Sequence, residues 1–89
     1  MSVGNLRRSV EADQYEWVVD EQVVAVLGFE ERGSTILLLH TATDPALRGR
    51  GHATDLVAAV LRDVAVRGLV PSVRCPFVRA YLQQHPTPA

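Results

Sequence analysis

The sequence predicts an α+β fold in which a mainly antiparallel sheet is combined with two helices, in the order β-β-β-α-β-α. Short runs of β-branched and aromatic residues fill the first half of the chain, and one later segment has the apolar spacing of an amphipathic helix. The first three strands are joined by connections too short for parallel pairing. With 89 residues, 47% hydrophobic and 21% charged, the composition is that of an ordinary globular protein, so we expect one small domain over residues 1–89.

Three strands are predicted ahead of the first helix. The opening residues 1–14 are polar, and we expect them to be loose. The strands are "YEWVV" (15–19), "VVAVLGFE" (23–30) and "TILLLHT" (35–41), and "ERGS" forms a turn between the last two. Because the third predicted strand is apolar at consecutive positions, we expect both of its faces to be covered and its place in the sheet to be central.

Two helices and a short strand are predicted in the second half. Apolar residues recur at helical spacing from Ala53 to Val64, and Gly68 is a suitable residue just beyond the end of that helix. The segment "PSVRC" (71–75) is then read as a strand. A second helix is predicted over residues 76–84 and begins with Pro76, which suits the first helical position.

Composition and charge exclude several classes of function. The net charge is −1 and all nine basic residues are Arg, which gives no general basic face, so we do not expect nucleic-acid binding. The one cysteine, Cys75, and the three histidines lack metal-ligand spacing, and no disulfide or metal is expected. No apolar run approaches the roughly 20 residues of a membrane span. We therefore expect a cytoplasmic protein, monomeric or weakly dimeric, with no membrane partner.

The stretch "HTATDPALRGRGHATDL" (40–56) carries the strongest functional signal. A strand leaves through a glycine-rich loop into a helix N-terminus, which is the architecture of a phosphate site, and Arg48 and Arg50 supply positive charge. The alternative is that Gly49 and Gly51 only form a turn and that the arginines are solvated.

Two other uses of this loop fail on its context. A dinucleotide-binding fingerprint needs a third glycine where this chain has Thr54, and an acidic residue about 20 positions later in a longer βαβ unit. An Arg-Gly tract that binds RNA would be repeated and disordered, whereas this one is single and runs into a strong helix.

The loop together with "CPFVRAYLQQHP" resembles the small, minimal members of the GCN5-related N-acetyltransferase (GNAT) superfamily, the compact YjdJ-like group. In that superfamily, Arg or Gln, two residues, Gly, one residue and then Gly or Ala wrap the pyrophosphate of acetyl-CoA, and residues 48–53 occupy this pattern here. The compact group adds a His-Thr pair and a Cys-Pro-Phe-Val segment followed by Tyr and His-Pro. This chain has, in order, His40, Thr41, Cys75, Pro76, Phe77, Val78, Tyr81, His85 and Pro86.

The resemblance implies a minimal GNAT-type fold, acetyl-CoA as the acetyl donor and an amine acceptor, which could be a small amine, a peptide N-terminus or a lysine. The cofactor-binding residues that it implies are Thr41, Ala42, Thr43, Arg48, Gly49, Arg50, Gly51, His52, Ala53, Cys75 and Phe77.

An alternative of another class is a CoA-binding or acyl-CoA-binding module with little or no turnover. The chain departs from the group at acceptor-side positions, which favours that alternative. The residues that differ are Ala42 and Thr43 after His-Thr, Val73 before the cysteine, and Thr87 and Pro88 after His-Pro.

Three residues are candidates for catalysis. Cys75 lies where it would cap the second helix, a position that favours thiolate, although a lone cysteine is also commonly a small buried hydrophobe. His40 could contact the cofactor or relay a proton, or it could form a structural hydrogen bond. Tyr81 could protonate the departing CoA thiolate, as a tyrosine does in larger relatives, or it could be a core tyrosine with a satisfied hydroxyl.

Four further residues have simpler interpretations. His52, at the start of the first helix, is expected to be solvated or to touch phosphate lightly. His85 is a favourable charge at a helix C-terminus. Trp17 and Phe29 are expected in the core.

Overall fold

The computed structural model describes residues 3–85, which form a five-stranded sheet and two helices. Pro86, Thr87 and Pro88 of the family comparison lie outside the described residues. The strands follow one another in space as they do in sequence, antiparallel except for the parallel pair β4 and β5. The elements are β1 (Asn5–Ser9), β2 (Gln14–Val19), β3 (Gln22–Arg32), β4 (Thr35–Thr43), a 3-10 turn (Pro45–Leu47), α1 (His52–Val66), β5 (Val70–Val73) and α2 (Pro76–Gln84).

The α+β class and both helices are confirmed, but the order is β-β-β-β-α-β-α, with one strand more than predicted. The additional strand β1 lies in the segment expected to be loose, and that expectation is wrong for this part. β1 pairs with β2 along its whole length, and Leu6 packs against the core. Arg7 also forms an ion pair with Glu16 at 2.6 Å on the neighbouring strand. The pairing and one apolar contact order a segment that looks uniformly polar.

Both helices pack on the same face of the sheet. Tyr15 on β2 donates a hydrogen bond to Asp63 on α1, and Cys75 at the start of α2 contacts Thr41 on β4. The strand register places Tyr15 and Thr41 on the same side, because each is paired with Leu27 of β3. The core therefore lies between this face and the helices. Its members are Tyr15, Ala25, Leu27, Phe29, Ile36, Leu38, Leu56, Val57, Val60, Val64, Cys75 and Val78.

No helix within residues 3–85 packs on the opposite face of the sheet, which corrects the expectation that both faces of the third predicted strand, now β4, are covered. Ile36 and Leu38 are fully buried under the helices, but Leu37 is half-buried and Leu39 is 37% exposed on the other side. The apolar run of β4 reflects one buried face and one partly exposed face. We call the latter the open face.

Trp17 and Phe29 contribute to the core as expected. Phe29 is 5% exposed and lies 5.1 Å from the Tyr15 ring, whereas Trp17 is half-buried and packs against the edge of the core. Gly68 follows α1 with φ of 70°, and its N–H donates to the Ala65 carbonyl. Glycine at this left-handed position allows the sharp turn from α1 into β5.

One polar interaction joins the sheet to α1. The Tyr15 hydroxyl donates to Oδ2 of Asp63 at 2.7 Å, and Nε of Arg67 donates to the same oxygen at 2.7 Å. Burial and the hydrogen bond to the carboxylate raise the pKa of Tyr15 to about 12. Burial acts to raise the pKa of Asp63, but the hydrogen bonds from Tyr15 and Arg67 outweigh it, and the net shift is downward. A neutral phenol on a charged carboxylate is therefore the stable pair.

Removing the hydroxyl should lower stability in a pH-dependent way. We expect Tyr15→Phe to reduce the free energy of unfolding by about 1 kcal/mol at neutral pH, since one hydrogen bond to a charged group is lost. Because the folded-state pKa is raised, the contribution is complete below the unfolded-state value of about 10 and is lost as pH rises toward the folded-state value. Denaturant unfolding from pH 7 to about 11.5 should show the two proteins converging above pH 10. A difference in the free energy of unfolding that stays constant with pH would contradict this.

Candidate functional site

The parallel pairing of β4 and β5 ends well before β4 does. Its last pair is Leu38 and Val73, and β4 continues from there to Thr43. The Leu38 carbonyl accepts hydrogen bonds from the N–H groups of both Arg74 and Cys75, at 2.9 and 3.0 Å. The chain then turns into α2 and leaves the second half of β4 without a strand on that side. A gap therefore opens between β4 and the start of α2.

A cleft of about 480 Å³ lies at this gap, and we call it the helix-side cleft. It is bounded by the end of β4, the loop, the first turn of α1 and the first turn of α2. Its lining is Thr41, Ala42, Thr43, Leu47, Arg48, Gly49, Gly51, His52, Ala53, Thr54 and Phe77. The structure thus brings together nine of the predicted cofactor-binding residues, all except Arg50 and Cys75.

The loop owes its path to one cap and two glycines. Asp44 accepts a hydrogen bond from the Ala46 N–H at 2.9 Å and so begins the 3-10 turn. Gly49 and Gly51 then have φ of 81° and 79°, a left-handed conformation that L residues rarely adopt. An ideal Cβ built at either glycine meets no atom within 4 Å, so the space in front of the backbone is open.

The first turn of α1 supplies hydrogen-bond donors to this space. Gly51 is the N-cap and provides no side-chain cap, and the first helical hydrogen bond runs from the Asp55 N–H to the Gly51 carbonyl. The N–H groups of His52, Ala53 and Thr54 precede that bond and have no helical acceptor. All three residues line the cleft, together with the cationic side chain of Arg48. The local charge therefore favours an anion.

Arg50 lies apart from its predicted neighbours. It lines a smaller cleft of about 240 Å³ with Val24, and the residues shared between this cleft and the helix-side cleft are Leu47 and His52. Gly49, with φ of 81°, lies between Arg48 and Arg50, and the two arginines line different clefts. Half-buried His52 borders both clefts, and its light contact with phosphate stays a prediction.

Cys75 and Phe77 lie at the start of α2, beside the helix-side cleft. Cys75 is the N-cap of α2 as predicted, but it is only 2% exposed and does not line the cleft. Its Sγ lies 3.8 Å from Oγ1 of Thr41, which does. Phe77, in the first turn of α2, is 38% exposed at the cleft. An exposed aromatic ring there offers an apolar wall to a ligand.

His40 lies on the other side of β4. It is paired with Gly28, and a Cβ built at Gly28 would lie 2.5 Å from Cε1 of the imidazole ring. The ring therefore covers the Gly28 backbone on the open face. It lines a separate cleft of about 450 Å³, the open-face cleft, and is exposed to solvent. Its lining is Arg8, Val10, Ala12, Asp13, Gly28, Phe29, Glu30, Glu31, Leu39 and His40.

Tyr81 lies in neither cleft. It is half-buried against the core, and its ring stacks on that of His85 with centroids 4.3 Å apart. The Tyr81 carbonyl accepts a hydrogen bond from the His85 N–H at 2.8 Å, and Nδ1 of His85 lies 3.1 Å from the same oxygen. His85 thus closes the C-terminus of α2, which fits its expected position.

Comparison with known proteins identifies the family. The family model of the GCN5-related N-acetyl-transferase, Acetyltransf_CG, matches residues 14–89. The chain belongs to the GCN5-related N-acetyltransferase family. Of the GNAT elements expected from the resemblance, the loop and the start of α2 face each other across the helix-side cleft.

Curated GNAT relatives include Protein NATD1 from chicken, mouse and human. Each is 37% identical to this chain over 65 residues, which is 72% of the chain. The matched region is 59% of the chicken and mouse proteins and 58% of the human one. The chain therefore corresponds to less than two thirds of the length of these relatives.

Several lining residues were not anticipated from the sequence. Leu47 and Thr54 complete the helix-side cleft, and Gly28, Asp13 and Glu30 contribute to the open-face cleft. Gly28 carried a usable signal, because a glycine inside a strand often marks a bulge or a close approach. The others gave none, since their positions depend on how the loop and the β1–β2 turn fold back on the sheet.

Two further findings bear on the site. Across residues 3–85, no group of three or more His, Cys, Asp or Glu side chains is arranged to hold a metal ion. Neither helix in the described part of the chain has the length and apolar character needed to cross a membrane.

The burial of Cys75 predicts slow chemistry at its thiol. In the native protein a disulfide reagent should label Cys75 at least about tenfold more slowly than in guanidinium, because reaction requires local opening around α2. Every labelled thiol is Cys75, since the chain contains one cysteine. Equal rates in native and denatured protein would contradict this and would indicate an accessible thiol.

Proposed function

We propose that this protein is an acetyl-CoA-dependent N-acetyltransferase that transfers the acetyl group to an amine. The observation that carries the proposal is the helix-side cleft itself. In a GNAT family member, a helix N-terminus with free N–H groups opens on the gap where β4 and β5 part. Such a cleft can hold the phosphates at one end and admit a thioester at the other.

The loop residues would bind the pyrophosphate. Gly49, Gly51 and the first turn of α1 line the cleft and would supply backbone N–H donors, and Arg48 would add a charge-assisted contact. Phe77 and the threonines of β4 would then border the pantetheine arm. The positive charge of Arg48 would then face the phosphates of CoA, and the apolar wall at Phe77 would face the arm that leads to the thioester.

A bulge in β4 offers a donor for the thioester carbonyl. The register shifts between Gly28 and Phe29, so that Leu38 and His40 have partners in β3 but Leu39 has none. A bulge disrupts the ladder and frees a backbone group. We assign polarisation of the carbonyl to an N–H at this bulge. A donor fixed in the sheet costs no reorganisation during the reaction, so it favours the oxyanion.

The acetyl group is transferred by direct attack of the amine on the thioester. The amine nitrogen forms a bond to the carbonyl carbon, the carbon–sulfur bond breaks, and CoA leaves as a thiolate that takes up a proton. The proton lost by the amine passes to His40, whose imidazole forms no hydrogen bond to the described residues and borders the bulge. Cys75 is buried behind Thr41 and forms no acyl intermediate. Tyr81, packed against the core and stacked on His85, acts as a structural residue.

A second candidate is a CoA-binding module with little turnover. The observation in its favour is that the titratable residues lining the helix-side cleft are Arg48 and His52. Tyr81, the residue expected to protonate the leaving thiolate, does not border that cleft. Thiol release from acetyl-CoA with a panel of amines separates the two functions. Amine-dependent release supports the transferase, and tight CoA binding without release supports the module.

The cleft predicts an effect of side chains at Gly51. Gly51→Ala should weaken CoA binding at least about tenfold, because the new methyl group projects into the space facing the pyrophosphate and the left-handed backbone is disfavoured. Isothermal titration calorimetry with CoA measures this.

Gly33 in the β3–β4 turn provides a matched control for that substitution. It also has positive φ, 61°, and open space around its Cβ position, but it borders neither cleft. Gly33→Ala should lose similar stability and keep wild-type affinity for CoA. Equal affinity of Gly51→Ala and wild type would exclude the loop as the pyrophosphate site.

The packing of His40 on Gly28 predicts that substitutions at these two positions have non-additive effects on kcat. Gly28→Ala should displace the imidazole and lower kcat while the KM for acetyl-CoA stays unchanged. If Gly28 acts only through His40, the double variant with His40→Ala should be no slower than His40→Ala alone. Steady-state kinetics of the four proteins measure this coupling. Additive losses in kcat would show that Gly28 has a separate role.

A further inference from the structure

The open-face cleft adjoins the β4 bulge from the side opposite the helices. Leu39, the unpaired residue of the bulge, and His40 both line it. Gly28 also lines it, and its backbone is covered by the His40 ring. If the bulge holds the thioester carbonyl, the attacking amine must reach it through space that acetyl-CoA does not occupy. The helix-side cleft would contain the donor, so the open-face cleft is the remaining approach.

The lining of this cleft is more acidic than basic. Its lining residues include the acidic residues Asp13, Glu30 and Glu31 and, of the basic residues, Arg8. Arg8 is occupied by an ion pair with Glu31 and lies 5.1 Å over the Phe29 ring. Asp13 and Glu30 are therefore the acidic residues of this cleft that form no ion pair with another of its lining residues.

Those two carboxylates differ in their surroundings. Glu30 pairs with exposed Arg32, which lies outside the cleft, while Asp13 has no ion pair among the described residues. Asp13 is held by the backbone, since its carbonyl accepts the Phe29 N–H at 3.0 Å and its φ is 52°. A turn held by this backbone bond thus places Asp13 in the lining of the cleft.

Apolar groups complete the surface between the carboxylates and His40. Leu39 is 37% exposed there, and Ala12 and Val10 from the β1–β2 turn form the opposite side. A volume of about 450 Å³ accommodates a short alkyl chain but not a folded domain. The combination suits a methylene chain that ends in an ammonium group.

We propose that the open-face cleft is the acceptor site and that it takes an alkylammonium group with no carboxylate beside it. This rests on the proposed acetyltransferase function and names its substrate class. Asp13 and Glu30 attract the cationic ammonium group, and Leu39 contacts its methylene groups. The ammonium releases one proton to solvent before the neutral amine attacks, and His40 receives the second proton, which the nitrogen loses as the carbon–nitrogen bond forms. A free diamine and a lysine side chain share this chemistry.

The test compares amines that differ in the group at the far end. Putrescine carries a second ammonium, γ-aminobutyrate carries a carboxylate on a chain of similar length, and Nα-acetyl-lysine amide stands for a peptide lysine. We expect kcat/KM for putrescine or the lysine amide to exceed that for γ-aminobutyrate at least about tenfold, from charge attraction alone. The faster of putrescine and the lysine amide shows whether the acceptor is a free diamine or a lysine side chain.

Charge-removing variants connect that preference to the cleft. In Asp13→Asn with Glu30→Gln the preference should fall to within about threefold through a higher KM for the cationic amine, while the KM for acetyl-CoA stays unchanged. Glu21→Gln is the matched control, because it removes a carboxylate from the β2–β3 turn that borders neither cleft. It should keep the wild-type preference.

Three outcomes would overturn the proposal. An unchanged preference in the double variant, or a wild-type preference for γ-aminobutyrate, excludes the open-face cleft as the acceptor site and leaves the acetyltransferase function standing. CoA binding without thiol release for any of the three amines overturns the acetyltransferase function and this proposal together.

Discussion

The double hydrogen bond at the Leu38 carbonyl is the interaction on which the site depends. By accepting from both Arg74 and Cys75, this oxygen ends the parallel pairing and directs the chain into α2 while β4 continues to Thr43. If the pairing ran further, β5 would close the gap and the helix-side cleft would have no opening toward the sheet. The early end of a four-residue strand therefore creates the space that the proposed chemistry uses.

Glycine determines the geometry on both sides of β4. On the helix side, Gly49 and Gly51 turn the loop into α1, and the first turn of α1 lines the helix-side cleft. On the open face, Gly28 leaves room for the His40 ring directly over the backbone. The bulge at Leu39 separates the two clefts by the thickness of one strand. We infer that donor and acceptor meet across this strand, each from its own face.

Much of the fold could be predicted from local pattern, and the site only in part. Helical spacing after Ala53 and proline at position 76 were sufficient for the helices, because these signals act within a few residues. β1 could not be recognised, since Leu6 is its one core contact and its order comes from pairing with β2. The glycine loop was evident, but the side to which Arg50 and His40 point was not. A bulge of one residue reverses the alternation of side chains, and only the paired strands reveal it.

The central claim is that the first turn of α1 binds the phosphates of CoA, and a titration of ¹⁵N-labelled protein with CoA tests it most directly by NMR. The account predicts large, saturable shifts of the backbone amides of His52, Ala53 and Thr54, with smaller shifts along Thr41–Thr43 and none in β1. Absence of shifts at the α1 amides, or shifts confined to the open face around His40, would contradict the account.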